Sequence, residues 1–96
     1  MFEGDLAVAD ERTKQRVAEV LKTAYFKDQS DLVDVSDGLD DNIHVVVVSR
    51  KFDGQRLREK NDLIWSILTK ELTPEEWGHV TLSVGVSPEE IKATSL

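Results

Sequence analysis

At 96 residues the chain has room for one domain with one modest hydrophobic core. It is 40% apolar and 32% charged, which excludes a disordered chain. It has no cysteine, which excludes a disulfide framework, thiolate chemistry and any Cys-based metal site built from this chain alone.

Residues 1–9 show no sustained period and read as a tail preceding a single domain at 10–96. Their acids, Glu3 and Asp5, stand without a base, the wrong sign for a signal or transit peptide. No apolar run approaches the roughly 18 residues of a membrane span. A cytoplasmic monomer is therefore the default expectation. Asp10 can cap a helix running to about Phe26, because Val17, Val20, Leu21, Ala24 and Tyr25 recur at helical spacing. Leu32–Val35 is a short strand with Val33 and Val35 on one face, and the turn-rich Asp37–Asp41 links it as an antiparallel hairpin to the next strand, 43–49. That second strand holds four consecutive valines, Val45–Val48. It lacks a polar face, so it is expected to be central and covered on both sides.

From Gln55 to Leu72 the pattern is helical. A first turn carries Leu57, and Asn61 or Asp62 caps a second segment whose stripe is Leu63, Ile64, Ile67, Leu68 and Leu72. Thr73-Pro74-Glu75-Glu76 and Ser87-Pro88-Glu89-Glu90 repeat one helix start: a capping hydroxyl, proline at the first helical position and glutamate at the third. Between them, Val80, Leu82, Val84 and Val86 alternate with small or polar residues, as a half-buried strand does. It lies about thirty residues beyond the valine strand with helix between, the length of a right-handed crossover, so the two strands should be parallel neighbours. The fold class is α+β: α-β-β-α-α-β-α, a three-stranded mixed sheet of order 1-2-3 with helices packed on it.

The net charge is −7, but Arg50, Lys51, Arg56, Arg58 and Lys60 face only Asp53 and Glu59 between positions 50 and 60. A local +3 on a body of about −10 can steer one partner into register; a solvated helix face is the plainer reading of each base.

Val45-Val-Val-Val48-Ser49 followed by Phe52 and Gly54, within this element order, resembles the BolA-like family. Its hallmark is an apolar strand ending in Ser, then Phe and Gly, then a basic helix of the type Arg-His-Arg-Leu-Ile-Tyr. Lys60-Asn61-Asp62-Leu63-Ile64-Trp65 stands where that helix begins, and Glu71-Leu72 matches its end. The resemblance covers roughly residues 10–93. It departs at Asn61, which replaces the family's histidine, and at Trp77-Gly78-His79-Val80, where the family usually reads Val-His-Ala-Leu. The loop between the first two strands, which in some members offers Cys or His, offers neither here.

The resemblance implies a BolA-like, type-II-KH-like fold and a non-enzymatic adaptor that binds a monothiol glutaredoxin. Such an adaptor helps to hold or transfer a [2Fe–2S] cluster, a role tied to stress response. His79 would be the cluster ligand, usable only in the complex, and Arg50, Lys51, Arg56, Arg58, Lys60, Asn61 and Trp65 would meet the partner. The alternative implied by the fold is a KH-like nucleic-acid-binding regulator of transcription. Against it stand the net charge and the lack of a Gly-x-x-Gly clamp in Phe52-Asp53-Gly54-Gln55.

The residues also have plainer readings. His79 follows Gly78 at the mouth of a strand and can be an ordinary surface histidine. His44 lies inside the central strand, where packing is the expected use. Phe52 should pack under its turn, and Gly54 should supply a backbone conformation closed to other residues. Trp65 and Trp77 fit either interface anchors or core. Two histidines without ligand spacing make no autonomous metal site, and no catalytic constellation stands out.

Overall fold

The computed structural model describes residues 11–94; the tail expected over 1–9 and the Asp10 cap lie outside the described residues. The elements are α1 (Glu11–Ala24), β1 (Leu32–Asp37), β2 (Ile43–Val48), a 3₁₀ turn (Arg50–Phe52), α2 (Leu57–Glu71), α3 (Pro74–Trp77), β3 (Val80–Val86) and α4 (Pro88–Thr94). The strands form one mixed sheet of order β1-β2-β3, with β1 antiparallel and β3 parallel to β2. The valine strand is central, as the crossover length requires. Among the described residues no helix is long and apolar enough to cross a membrane.

The expectation that β2 is covered on both sides is corrected. Ile43, Val45 and Val47 are fully buried, whereas His44, Val46 and Val48 are half-buried. Residues paired across strands share a face, so Val33 and Val35 of β1 and Val80 of β3 join the buried side. Against that side pack Val17, Val20 and Leu21 of α1 and Ile64, Ile67 and Leu68 of α2. Phe26, just beyond α1, is buried where Ala24 and Tyr25 of the expected stripe are exposed. The apolar run of β2 thus reports central position in the sheet, not burial of both faces. In a domain this small the helices suffice to cover only one layer.

The helix expected in two segments is one. Glu59 Oε1 accepts from the Arg56 backbone N–H at 2.7 Å, so α2 is capped from Arg56 and Asn61 is not needed as a start. Both repeated helix starts form as expected. Thr73 and Glu76 cap α3 reciprocally (2.9 and 3.2 Å), and Ser87 and Glu90 do the same for α4 (2.8 and 3.3 Å). Gly54 adopts φ +75, a conformation that side chains disfavour, and lets the chain turn from the 3₁₀ segment into α2.

Candidate functional site

Because β2 and β3 are parallel, both start at one end of the sheet and finish at the other. His79 precedes Val80 and its carbonyl accepts from the Ile43 N–H at 2.8 Å, placing it at the starting end. Arg50 follows Val48 at the finishing end, and α2 begins there too, since Lys60 reaches Glu90 just beyond β3. The seven residues of β3 separate the two ends by roughly 20 Å at about 3.3 Å per residue. The basic segment and His79 therefore do not converge on one point.

At the basic end the five cations divide into two kinds. Lys51 Nζ donates to Asp28 (3.2 Å) and Asp31 (3.1 Å) and lies 5.3 Å from the Tyr25 ring centroid, fastening the loop after α1 to the end of β2. Lys60 is 3% exposed, and its Nζ donates to both carboxylate oxygens of Glu90 at 2.8 and 2.7 Å, joining α2 to α4. These two lysines hold the fold together. Arg50, Arg56 and Arg58 are exposed, and none has a side-chain ion pair among the described residues. The charge available to an outside anion is concentrated in these three arginines.

The other two expected partner residues are also engaged within the fold. The Ser83 hydroxyl donates to Asn61 Oδ1, linking β3 to α2 on the helix-covered side. Trp65 stacks edge-on against Trp77 with ring centroids 6.0 Å apart, and both pack on the core as half-buried residues. His44 lies on the side of the sheet away from the core helices α1 and α2, close over Gly38, where a Cβ would stand 2.6 Å from its Nε2.

His79 is different. Its side chain is 37% exposed and Nδ1 lies 3.4 Å from Asp41 Oδ2. Nε2 has no hydrogen-bond partner among the described residues. A carboxylate on one ring nitrogen orients an imidazole and leaves the other as the donor atom for a metal. Thr13, Glu75 and Glu76 line the cleft beside it. Among the described residues no group of three or more His, Cys, Asp or Glu could hold a metal ion. This arrangement can add one nitrogen ligand to a centre whose other ligands come from elsewhere.

Two carboxylates near these ends sit below their ordinary value of 4.5: Glu90, held by hydrogen bonds from Lys60 and then the Ser87 N–H, and Glu76, held by Arg16 and then the Thr73 N–H. Both are favoured in the ionised form by folding. Their stabilisation is complete above the unfolded value and is lost as pH falls through the lower folded value. The thermal midpoint is expected to be level just above pH 4.5 and to fall below it. Glu90→Gln should lower the neutral-pH midpoint and flatten part of that acid fall. An acid limb identical to that of the unmodified chain would remove Glu90 from the linkage.

Asp41 and Glu90, the partners of His79 and Lys60, were not legible as such. They lie 38 and 30 residues away in sequence, and no spacing rule connects them. Glu90 was legible only as a cap. No protein-family model matches this chain, nor does any curated protein or solved structure.

Proposed function

We propose that this chain is a non-enzymatic adaptor that binds a monothiol glutaredoxin and adds one ligand, the Nε2 of His79, to a [2Fe–2S] cluster held mainly by that partner. The observation that carries this reading is the pairing of His79 Nδ1 with Asp41, with Nε2 at a half-exposed site and without a hydrogen-bond partner among the described residues. The resemblance to BolA-like proteins supplies the partner and the cluster. The residues fit a single terminal nitrogen ligand and nothing larger, because the chain lacks cysteine. When bound, the cluster supplies the redox or transfer chemistry; this chain orients one imidazole and steers the partner.

The steering charge is that of Arg50, Arg56 and Arg58. An interface of about 800 Å² per partner is roughly 30 Å across, so one partner can span both ends of the sheet. Those same arginines also favour the second reading, nucleic-acid binding, since guanidinium groups pair with phosphates. The acidic remainder of the chain weighs against it.

His79→Ala is expected to leave folding intact while bleaching or altering the visible spectrum of the mixed complex, with His44→Ala failing to do so. Glutaredoxin binding should weaken only partly. An unchanged spectrum in His79→Ala removes this chain from the coordination sphere. A salt-dependent shift of labelled DNA, lost in Arg56→Glu with Arg58→Glu, would favour the second reading instead.

A further inference from the structure

The hairpin between β1 and β2 closes in a tight turn beside His79. The Gly38 N–H donates to the Asn42 carbonyl at 2.8 Å, and the Asn42 N–H donates to the Leu39 carbonyl at 2.9 Å. Between Leu39 and Asn42, Asp40 has φ +55, a region that residues other than glycine enter uncommonly. His44 lies close over Gly38 at the root of the turn. At the tip stands Leu39, 80% exposed and followed by the exposed Asp40. A lone exposed leucine is ordinary, but this one sits on a turn of fixed shape next to the candidate ligand.

We propose that Leu39 is the anchor that seats the glutaredoxin at the His79 end of the sheet, received there by an apolar pocket with a basic rim. That role rests on the reading of His79 as a cluster ligand. Metal–imidazole bonds are about 2 Å long, so a partner that offers its cluster to Nε2 must stand against His79 itself. Asp41, on the same turn, lies 3.4 Å from the His79 ring. Two residues of chain keep Leu39 within about 7 Å of Asp41. An interface about 30 Å across that covers the imidazole therefore also covers the turn.

Charge gives the rim its sign. Asp40 and Glu75 are exposed, neither has a side-chain ion pair among the described residues, and Glu75 lines the cleft beside His79. The exposed arginines stand at the other end of the sheet, roughly 20 Å away. The contact is therefore acidic at one end and basic at the other. A partner that fits both carries lysine or arginine around the Leu39 pocket and carboxylates opposite Arg50, Arg56 and Arg58. A partner docked the other way round would set like charges against each other at both ends. A turn of fixed shape also loses little freedom on binding, which suits Leu39 to an anchoring role.

The full chain is titrated into a monothiol glutaredoxin carrying its cluster. Leu39→Asp is expected to weaken binding by about tenfold or more and Leu39→Ala by less, with unfolding midpoints unchanged. At saturation the visible spectrum of the Leu39→Asp complex should match that of the unmodified complex, unlike that of His79→Ala. Asp40→Asn with Glu75→Gln should slow association at low salt and have less effect at high salt. An association rate that this pair leaves unchanged would overturn the basic rim. Undiminished affinity in Leu39→Asp would overturn the anchor while the reading of His79 stands. A midpoint lowered in both Leu39→Asp and Leu39→Ala would make the side chain a fold contact and overturn the anchor too. A dimer of the unmodified chain that Leu39→Asp abolishes would assign the leucine to a second copy instead. Failure of the unmodified chain to bind, or a spectrum that His79→Ala leaves unchanged, would overturn the cluster-ligand reading and the anchor with it.

Discussion

Phe52→Ala is expected to destabilise the domain by about 3 kcal/mol, the lower end of the range for truncating a buried phenylalanine. Phe52 is 1% exposed although it lies in a three-residue 3₁₀ turn flanked by charge. Its ring meets Phe26 at a centroid distance of 5.4 Å and lies under Gly85 of β3. It thus joins the loop after α1, the end of β2 and the third strand. Its turn is fixed from outside the ring too: the Ser49 hydroxyl accepts from the Lys51 N–H at 3.0 Å, so little collapse can fill the void. Denaturant unfolding should show a lower midpoint with an unchanged slope. A loss under about 1 kcal/mol would mean that the ring is not part of the core.

Gly85→Val is expected to cost about 3 kcal/mol, at the top of the range for overpacking a filled site. A Cβ at this position would stand 2.9 Å from Phe52 Cζ, 3.0 Å from its Cε2 and 3.1 Å from Lys60 Cβ. None of these atoms is a flexible end: the ring is buried, and the lysine stem is held by Glu90. The two positions should be coupled. Gly85→Ala combined with Phe52→Leu should lose less stability than the sum of the single variants, because the smaller side chain vacates the space the new methyl takes. Strict additivity in unfolding midpoints would show that Gly85 is required for some reason other than the Phe52 ring.

The sequence by itself determined the elements and their order, because each is signalled locally. Alternation from Val80 to Val86, the helical stripe from Leu63 to Leu72 and the paired Thr73 and Ser87 starts all act within a few residues of chain. The hairpin at Asp37–Asp41 and the crossover length then sufficed to place β2 between its neighbours. The continuity of α2 was missed because two good caps competed. Glu59 reaching back to Arg56 starts the helix before Asn61 can.

Only the tertiary structure decided which surfaces are free. Four valines in a row look alike in sequence, yet Val45 and Val47 join the core beneath the described helices, while Val46 and Val48 stay half-buried on the other side; the covering layer comes from segments far along the chain. Five bases within eleven residues also look alike. Lys51 and Lys60 are consumed by Asp28, Asp31 and Glu90, while three arginines remain exposed. The parallel pairing of β2 with β3 set His79 at the far end of the sheet from those arginines and placed Asp41 against its ring. Long-range pairing of this kind depends on which faces meet in space, and local periodicity carries no record of it.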